Sequence, residues 1–154
     1  MHTHSVSSCT LCNLTRIDES TPYRQPMEVA GIVAAVLLAV VGLFQVALAV
    51  GAPWGAAAWG GRHPGVLPRR QRITSALVGV VVYPLIAVVV LRAAGVAGTA
   101  PCCGSASTVV MWLLTGFFAL GAVLNLASRS PVERIWAPVS AGIAICCGVI
   151  AAGM

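Results

Sequence analysis

Four long apolar runs, separated by shorter polar or Gly- and Pro-rich stretches, set the pattern of this 154-residue chain. Each run has about 20 residues, enough for one α-helix to cross the roughly 30 Å hydrocarbon core of a bilayer. The pattern therefore predicts an all-α fold, a four-transmembrane-helix bundle with short loops. The predicted spans cover about residues 29–52, 73–92, 109–127 and 132–154.

Proline and glycine mark the places where the apolar runs break. Pro53 ends the first run, and Pro101 lies in a Gly-rich, small-residue stretch, residues 93–108, that predicts a loop. Pro84 lies inside the second run, where we expect it to kink the helix and free a backbone carbonyl. Before the last run, Ser130 and Glu133 flank a Pro-Val pair. This spacing predicts a capping box, in which both side chains satisfy unpaired amides at the helix start.

Charge is scarce and unevenly placed. Only 8% of the residues are charged, against roughly 25% in soluble domains. All nine basic residues are Arg, and most lie at the ends of apolar runs, which favours membrane lipids over nucleic acid as their partner. Residues 1–26 are polar and predict a disordered tail ahead of one membrane domain, residues 27–154. Translation from Met27 instead of Met1 remains an alternative.

Arginine counting gives an expected orientation. Six arginines lie in or beside two loops on one side of the predicted bundle: Arg62, Arg69, Arg70, Arg72, Arg129 and Arg134. The opposite side carries three: Arg16, Arg24 and Arg92. Because positive loops tend to stay in the cytoplasm, we expect both termini outside a bacterial plasma membrane.

The first loop, residues 51–72, is the one long segment that combines Trp, Gly, Pro and Arg. We interpret two groups of its residues, together with Trp136 at the same end, as anchors at the lipid interface. The anchors are Trp54, Trp59 and Trp136, with Arg69, Arg70 and Arg72. A second interpretation is that the uncharged residues 51–61 re-enter the membrane edge, which requires burial by protein or a cavity.

Polar residues inside the spans are few. Gln45 and Asn125 lie at similar depths near the predicted cytoplasmic end, which predicts a hydrogen bond between them of about 0.6–2 kcal/mol. No Asp, Glu, Lys or Arg lies deep within any predicted span. This absence argues against proton-coupled transport and against an ion site inside the membrane.

The cysteines offer a candidate metal or redox site. Cys9 and Cys12 form a C-x-x-C pair, and Cys102 and Cys103 are adjacent in a loop on the same predicted side. Thiolates at such spacing suit Cu(I), Zn or Hg, or thiol–disulfide exchange. Two Cys-Cys-Gly segments, at residues 102–104 and 146–148, resemble those of bacterial mercuric-ion transport membrane proteins, although the number and order of spans differ. The alternative is a structural disulfide between tail and loop.

A broader resemblance rests on two motifs, GAPWGAAAWGG…LPRRQRITS from residue 51 and NLASRSPVERIWAP from residue 125. Together they resemble the landmarks of a family of small four-span bacterial integral membrane proteins without assigned function. The resemblance covers nearly everything after Met27 and implies no catalytic residues and no cofactor.

The favoured hypothesis is a non-enzymatic structural or accessory membrane protein, acting as a homo-oligomer or with an unknown membrane partner. Two alternatives stay open. One is soft-metal or thiol handling through the external cysteine pairs. The other is a small neutral-solute transporter, with Gln45, Asn125 and the Pro84 kink along its path.

Overall fold

The predicted all-α, four-helix bundle is confirmed by a computed structural model, which describes residues 23–96 and 104–154. Four long helices make up the bundle: α1 (Arg24–Val50), α2 (Arg69–Ala93), α3 (Gly104–Leu126) and α4 (Trp136–Gly153). Short 3₁₀ turns lie at Gly55–Ala57, Trp59–Gly61 and Glu133–Ile135. All four long helices are long and apolar enough to cross a membrane, the arrangement of a multi-pass membrane protein.

The helices pack in the order α2–α1–α4–α3. Helix α1 contacts both α2 and α4, α3 packs mainly against α4, and α2 and α3 make few contacts with each other. One apolar cluster joins the four helices. Its largest fully buried side chains are Leu38, Val90, Met111, Ile143, Cys147 and Ile150.

Large apolar side chains also cover the outside of the bundle. Leu43 on α1, Leu113 on α3 and Ile145 on α4 are each at least 67% exposed. In water such a surface would be a severe aggregation liability, whereas lipid tails are as apolar as leucine. The outward faces of the bundle are therefore suited to hydrocarbon.

Three helices begin earlier than the sequence pattern predicts: α1 at Arg24, α2 at Arg69 and α3 at Gly104. Helix α1 starts at Arg24, where Arg24 pairs with Glu28 at 2.8 Å one turn later. Pro26 fits in this first turn because amides there have no partner within the helix. The prediction of a loop over residues 93–108 is wrong at its end, because α3 already begins at Gly104. The first residues of α3 are small or polar, so the apolar pattern missed them. Ser and Thr nevertheless favour helix starts.

The irregularity expected at Pro84 takes the form of a wider turn just before it. Residues Val78–Val82 form a π-helical turn, closed by the Tyr83 N–H, which donates to the Val78 carbonyl. Within this turn Gly79 meets α1 closely: a Cβ added there would lie 2.9 Å from the Gly42 carbonyl oxygen. The α1–α2 contact therefore depends on the missing side chain of Gly79.

Candidate functional site

The connection between α1 and α2, residues 51–68 (loop 51–68), folds back onto its own end of the bundle. Its Ala58 and Leu67 are buried with Leu48 of α1 in a second small apolar cluster. Within the loop, the Gly55 N–H donates to the Gly65 carbonyl at 3.1 Å. A Cβ on Gly55 would fall 2.7 Å from that same carbonyl oxygen and even closer to the His63 carbonyl oxygen. The loop is thus a packed structure that requires glycine at position 55.

Three consecutive residues of the loop have left-handed backbone conformations. Trp59, Gly60 and Gly61 have φ values of 56°, 75° and 67°. Glycine accepts such values freely, but a tryptophan there costs about 1–3 kcal/mol. Part of the compensation comes from the Trp59 indole N–H, which lies 3.5 Å from the Ser75 hydroxyl of α2.

The connection between α3 and α4 holds the loop through Ser130 and Glu133, the two residues predicted to form a capping box. The Ser130 hydroxyl donates to the Ala56 carbonyl at 2.7 Å, and one Glu133 carboxylate oxygen accepts from the Gly60 N–H at 2.9 Å. The other carboxylate oxygen accepts from the Ser128 hydroxyl. The capping-box prediction is therefore wrong: both side chains reach to neighbouring segments, because the chain enters α4 through a 3₁₀ turn without a side-chain cap.

The tryptophans at this end form contacts within the protein, and two of them are also exposed at its surface. The Trp136 indole N–H donates to the Ala57 carbonyl at 3.0 Å. Its ring also contacts Phe44, with centroids 4.5 Å apart, and Phe44 stacks in parallel on Trp54. Trp54 and Trp59 remain 53% and 42% exposed. That exposure suits the predicted anchoring at a lipid interface, while the indole bonds of Trp59 and Trp136 serve the fold.

The three predicted arginine anchors are not equivalent. The Arg72 Nε donates to the Ala49 carbonyl at 2.9 Å, near the end of α1. The Arg72 guanidinium also lies against Gly51, the left-handed residue that ends this helix. Arg69 and Arg70 are exposed at the start of α2. Arg72 therefore joins two helices, and only Arg69 and Arg70 have the exposure that the anchor prediction implies.

The predicted Gln45–Asn125 hydrogen bond is replaced by a different pair. The Asn125 side-chain amide donates to the Ser140 hydroxyl of α4 at 3.4 Å. Gln45 packs against the π-helical turn of α2, beside Gly79, and its side-chain oxygen is buried without a described partner. The reason is the packing order: α3 lies against α4, and α1 presents Gln45 to α2.

An open cleft of about 600 Å³ lies where loop 51–68 meets the connection between α3 and α4. It is lined by Gly60, Arg62, Leu124, Asn125, Ser128, Arg129 and Glu133. Sequence reasoning used the two arginines only to set the orientation, and it assigned Ser128 no role. The polar Ser-Arg-Ser-Pro segment at residues 128–131 could have marked this part of the cleft. Nothing in that segment indicated that Arg62 would lie nearby.

The predicted metal or redox residues Cys9, Cys12, Cys102 and Cys103 lie outside the described residues. Cys146 is half-buried and Cys147 buried in α4, and both are free thiols. Within residues 23–96 and 104–154, no three His, Cys, Asp or Glu side chains form a metal-binding group. The soft-metal hypothesis therefore stays a prediction.

Comparison of the chain with models of protein families, with curated proteins and with solved structures finds no match.

Proposed function

We propose that the protein is a non-enzymatic, multi-pass component of a bacterial plasma membrane, with a structural or accessory role. Its termini lie outside, and loop 51–68 faces the cytoplasm. The protein acts as a homo-oligomer or beside a membrane partner, and its loop end is a rigid cytoplasmic surface.

This proposal rests on one observation: the polar side chains at the loop end form hydrogen bonds to the backbone of loop 51–68. Glu133, Ser130 and Trp136 all bind the backbone of loop 51–68. Across the four described spans, Asp, Glu and Arg lie only near the helix ends. The charged groups of the spans thus lie near the edges of the hydrocarbon, and Glu133 among them is committed to holding loop 51–68.

Orientation is tested with two matched cysteine variants. In one, all six cysteines become Ser and the 53%-exposed Val66 becomes Cys. In the other, only Cys102 and Cys103 remain. We expect a membrane-impermeant maleimide to label the first variant only after lysis, and the second in intact cells once disulfides are reduced. The reverse pattern would show that loop 51–68 faces outward.

The accessory role is tested by cross-linking in native membranes, followed by measurement of protein half-life. We expect a defined cross-linked product, which is either a dimer of this chain or a pair with another membrane protein whose removal shortens the half-life of this chain. Purified protein that moves a solute across vesicle membranes on its own would contradict the proposal. In that case Asn125→Ala would show whether the polar residue near the cleft lies on the path.

A further inference from the structure

We propose that the cleft between loop 51–68 and the α3–α4 connection binds the phosphate group of an anionic phospholipid. This inference goes beyond the proposed function. It requires only that the helices span a membrane, and neither the orientation nor the accessory role enters the argument.

The first step concerns the charges in the cleft. Arg62 and Arg129 come from separate segments, and both line this one cleft with exposed side chains. Neither guanidinium forms a hydrogen bond or ion pair with any residue in the described part of the chain. Two exposed arginines that line one cleft offer guanidinium donors of the kind that bind the oxygens of a phosphate.

The second step concerns the one carboxylate in the cleft. Glu133 does not pair with either arginine, because one oxygen accepts from the Gly60 N–H and the other from the Ser128 hydroxyl. Two positive charges therefore face one negative charge whose oxygens are already engaged. The cleft keeps a net attraction for an anion at the membrane surface.

The third step identifies the source of the phosphate. The cleft lies at the ends of α3 and α4, and it includes Leu124, a 62%-exposed residue of the apolar span α3. A ligand with its phosphate beside the arginines can therefore place its acyl chains along the span. A soluble phosphate ester has no acyl chains to place against Leu124 and the span beyond it, so we assign the site to a lipid.

The test uses the full chain, purified in a zwitterionic detergent and titrated with phosphatidylglycerol under native mass spectrometry. The double variant Arg62→Gln/Arg129→Gln removes the proposed contacts. Arg69→Gln/Arg70→Gln is its matched control, because it removes the same charge from exposed residues at the same end but outside the cleft. We expect at least about tenfold weaker binding in the first and a smaller loss, below about threefold, in the second, because exposed interface anchors attract a single lipid only through their charge.

Two further probes separate the alternatives. Phosphatidylcholine, which carries no net charge, is expected to bind much more weakly than phosphatidylglycerol, and glycerol phosphate is expected not to displace the lipid. Equal losses in both double variants would reduce the effect to general surface charge and overturn the site. Displacement by glycerol phosphate at matched concentration would overturn the lipid as occupant.

An unchanged thermal midpoint in both variants establishes that folding is intact. Solute transport by the wild type would contradict the proposed function and leave the lipid result standing.

Discussion

At the loop end, side chains from the connection between α3 and α4 bind backbone groups of loop 51–68, whereas inside the bundle α1 and α2 meet through glycines. Ser130 and Glu133 supply the directional contacts at the end. Gly42 and Gly79 supply the close approach within the membrane region. The first kind of contact depends on particular polar side-chain atoms. The second depends on the absence of a side chain at a glycine.

Because the contacts differ in kind, loop docking and helix packing can be lost separately. Hydrogen bonds at a surface that water reaches contribute about 0.5–1.5 kcal/mol each, so the loop is held by the sum of several modest contacts. Helix contacts in hydrocarbon gain no hydrophobic driving force and depend on close van der Waals fit. We therefore expect loop variants to release the loop from an intact bundle, and glycine variants in the spans to weaken the whole bundle.

The largest effect is expected from Gly55→Ala, because its Cβ would collide with two backbone carbonyls. We expect loop docking to weaken by about 2–3 kcal/mol, which is on the order of 100-fold faster trypsin cleavage after Arg62. Cleavage is followed by mass in detergent. Gly65→Ala is the control, since a Cβ there meets nothing within 4 Å. Equal cleavage of the two variants would show that the loop is not packed as described.

The next effect is expected from Gly79→Ala, which tests the interior. Its Cβ would lie 2.9 Å from the Gly42 carbonyl oxygen, so the helices must separate, at a cost of about 2 kcal/mol. Global unfolding is measured by the reaction of a thiol-reactive dye with the buried Cys147 on heating, in a variant that lacks the other five cysteines.

Gly116→Ala is the matched control within the spans, because a Cβ there has open space. We expect it to leave the bundle as stable as before or stabilise it by up to about 1 kcal/mol through helix propensity. Trypsin cleavage after Arg62 should stay slow in both glycine variants at temperatures below unfolding. A lower unfolding temperature for Gly116→Ala than for Gly79→Ala would contradict the assigned helix contact.

The sequence predicts the bundle well because the length and polarity of each span follow directly from the thickness of a bilayer. It does not identify which helices touch. Gln45 and Asn125 lie at similar depths, yet Asn125 binds Ser140, because depth gives no information on the packing order α2–α1–α4–α3. Gly79 and Gly116 are likewise indistinguishable as glycines in apolar runs until the helices are placed.

The candidate site was predicted only in part, for a related reason. The crowding of Trp and Arg in residues 51–72 marked the end of the molecule at which the cleft lies, since composition reveals an unusual loop. The local capping rule then assigned Ser130 and Glu133 to each other, because a rule based on spacing sees only neighbours in sequence. Their actual partners, Ala56 and Gly60, are over 70 residues away along the chain.

The smallest effect is expected from Glu133→Gln, which returns to the loop end and tests its directional contacts. The amide keeps the shape of the side chain but loses the charge, and it offers only one acceptor atom. If its oxygen accepts from the Gly60 N–H, its NH2 faces Ser128, whose hydroxyl must then accept instead of donate, so both charge-assisted bonds are replaced by weaker neutral ones. We expect loop docking to weaken by about 1 kcal/mol, which is roughly fivefold faster cleavage after Arg62, with unchanged unfolding of the bundle.

Glu28→Gln is the matched control: it breaks the Arg24–Glu28 pair within α1 and leaves the loop contacts in place. Such an exposed pair contributes about 0.3–0.5 kcal/mol, and its loss should not change cleavage at the loop. If the two variants cleave alike, the Glu133 carboxylate does not hold the loop, and the contrast between the two regions rests on Ser130 and Trp136 alone.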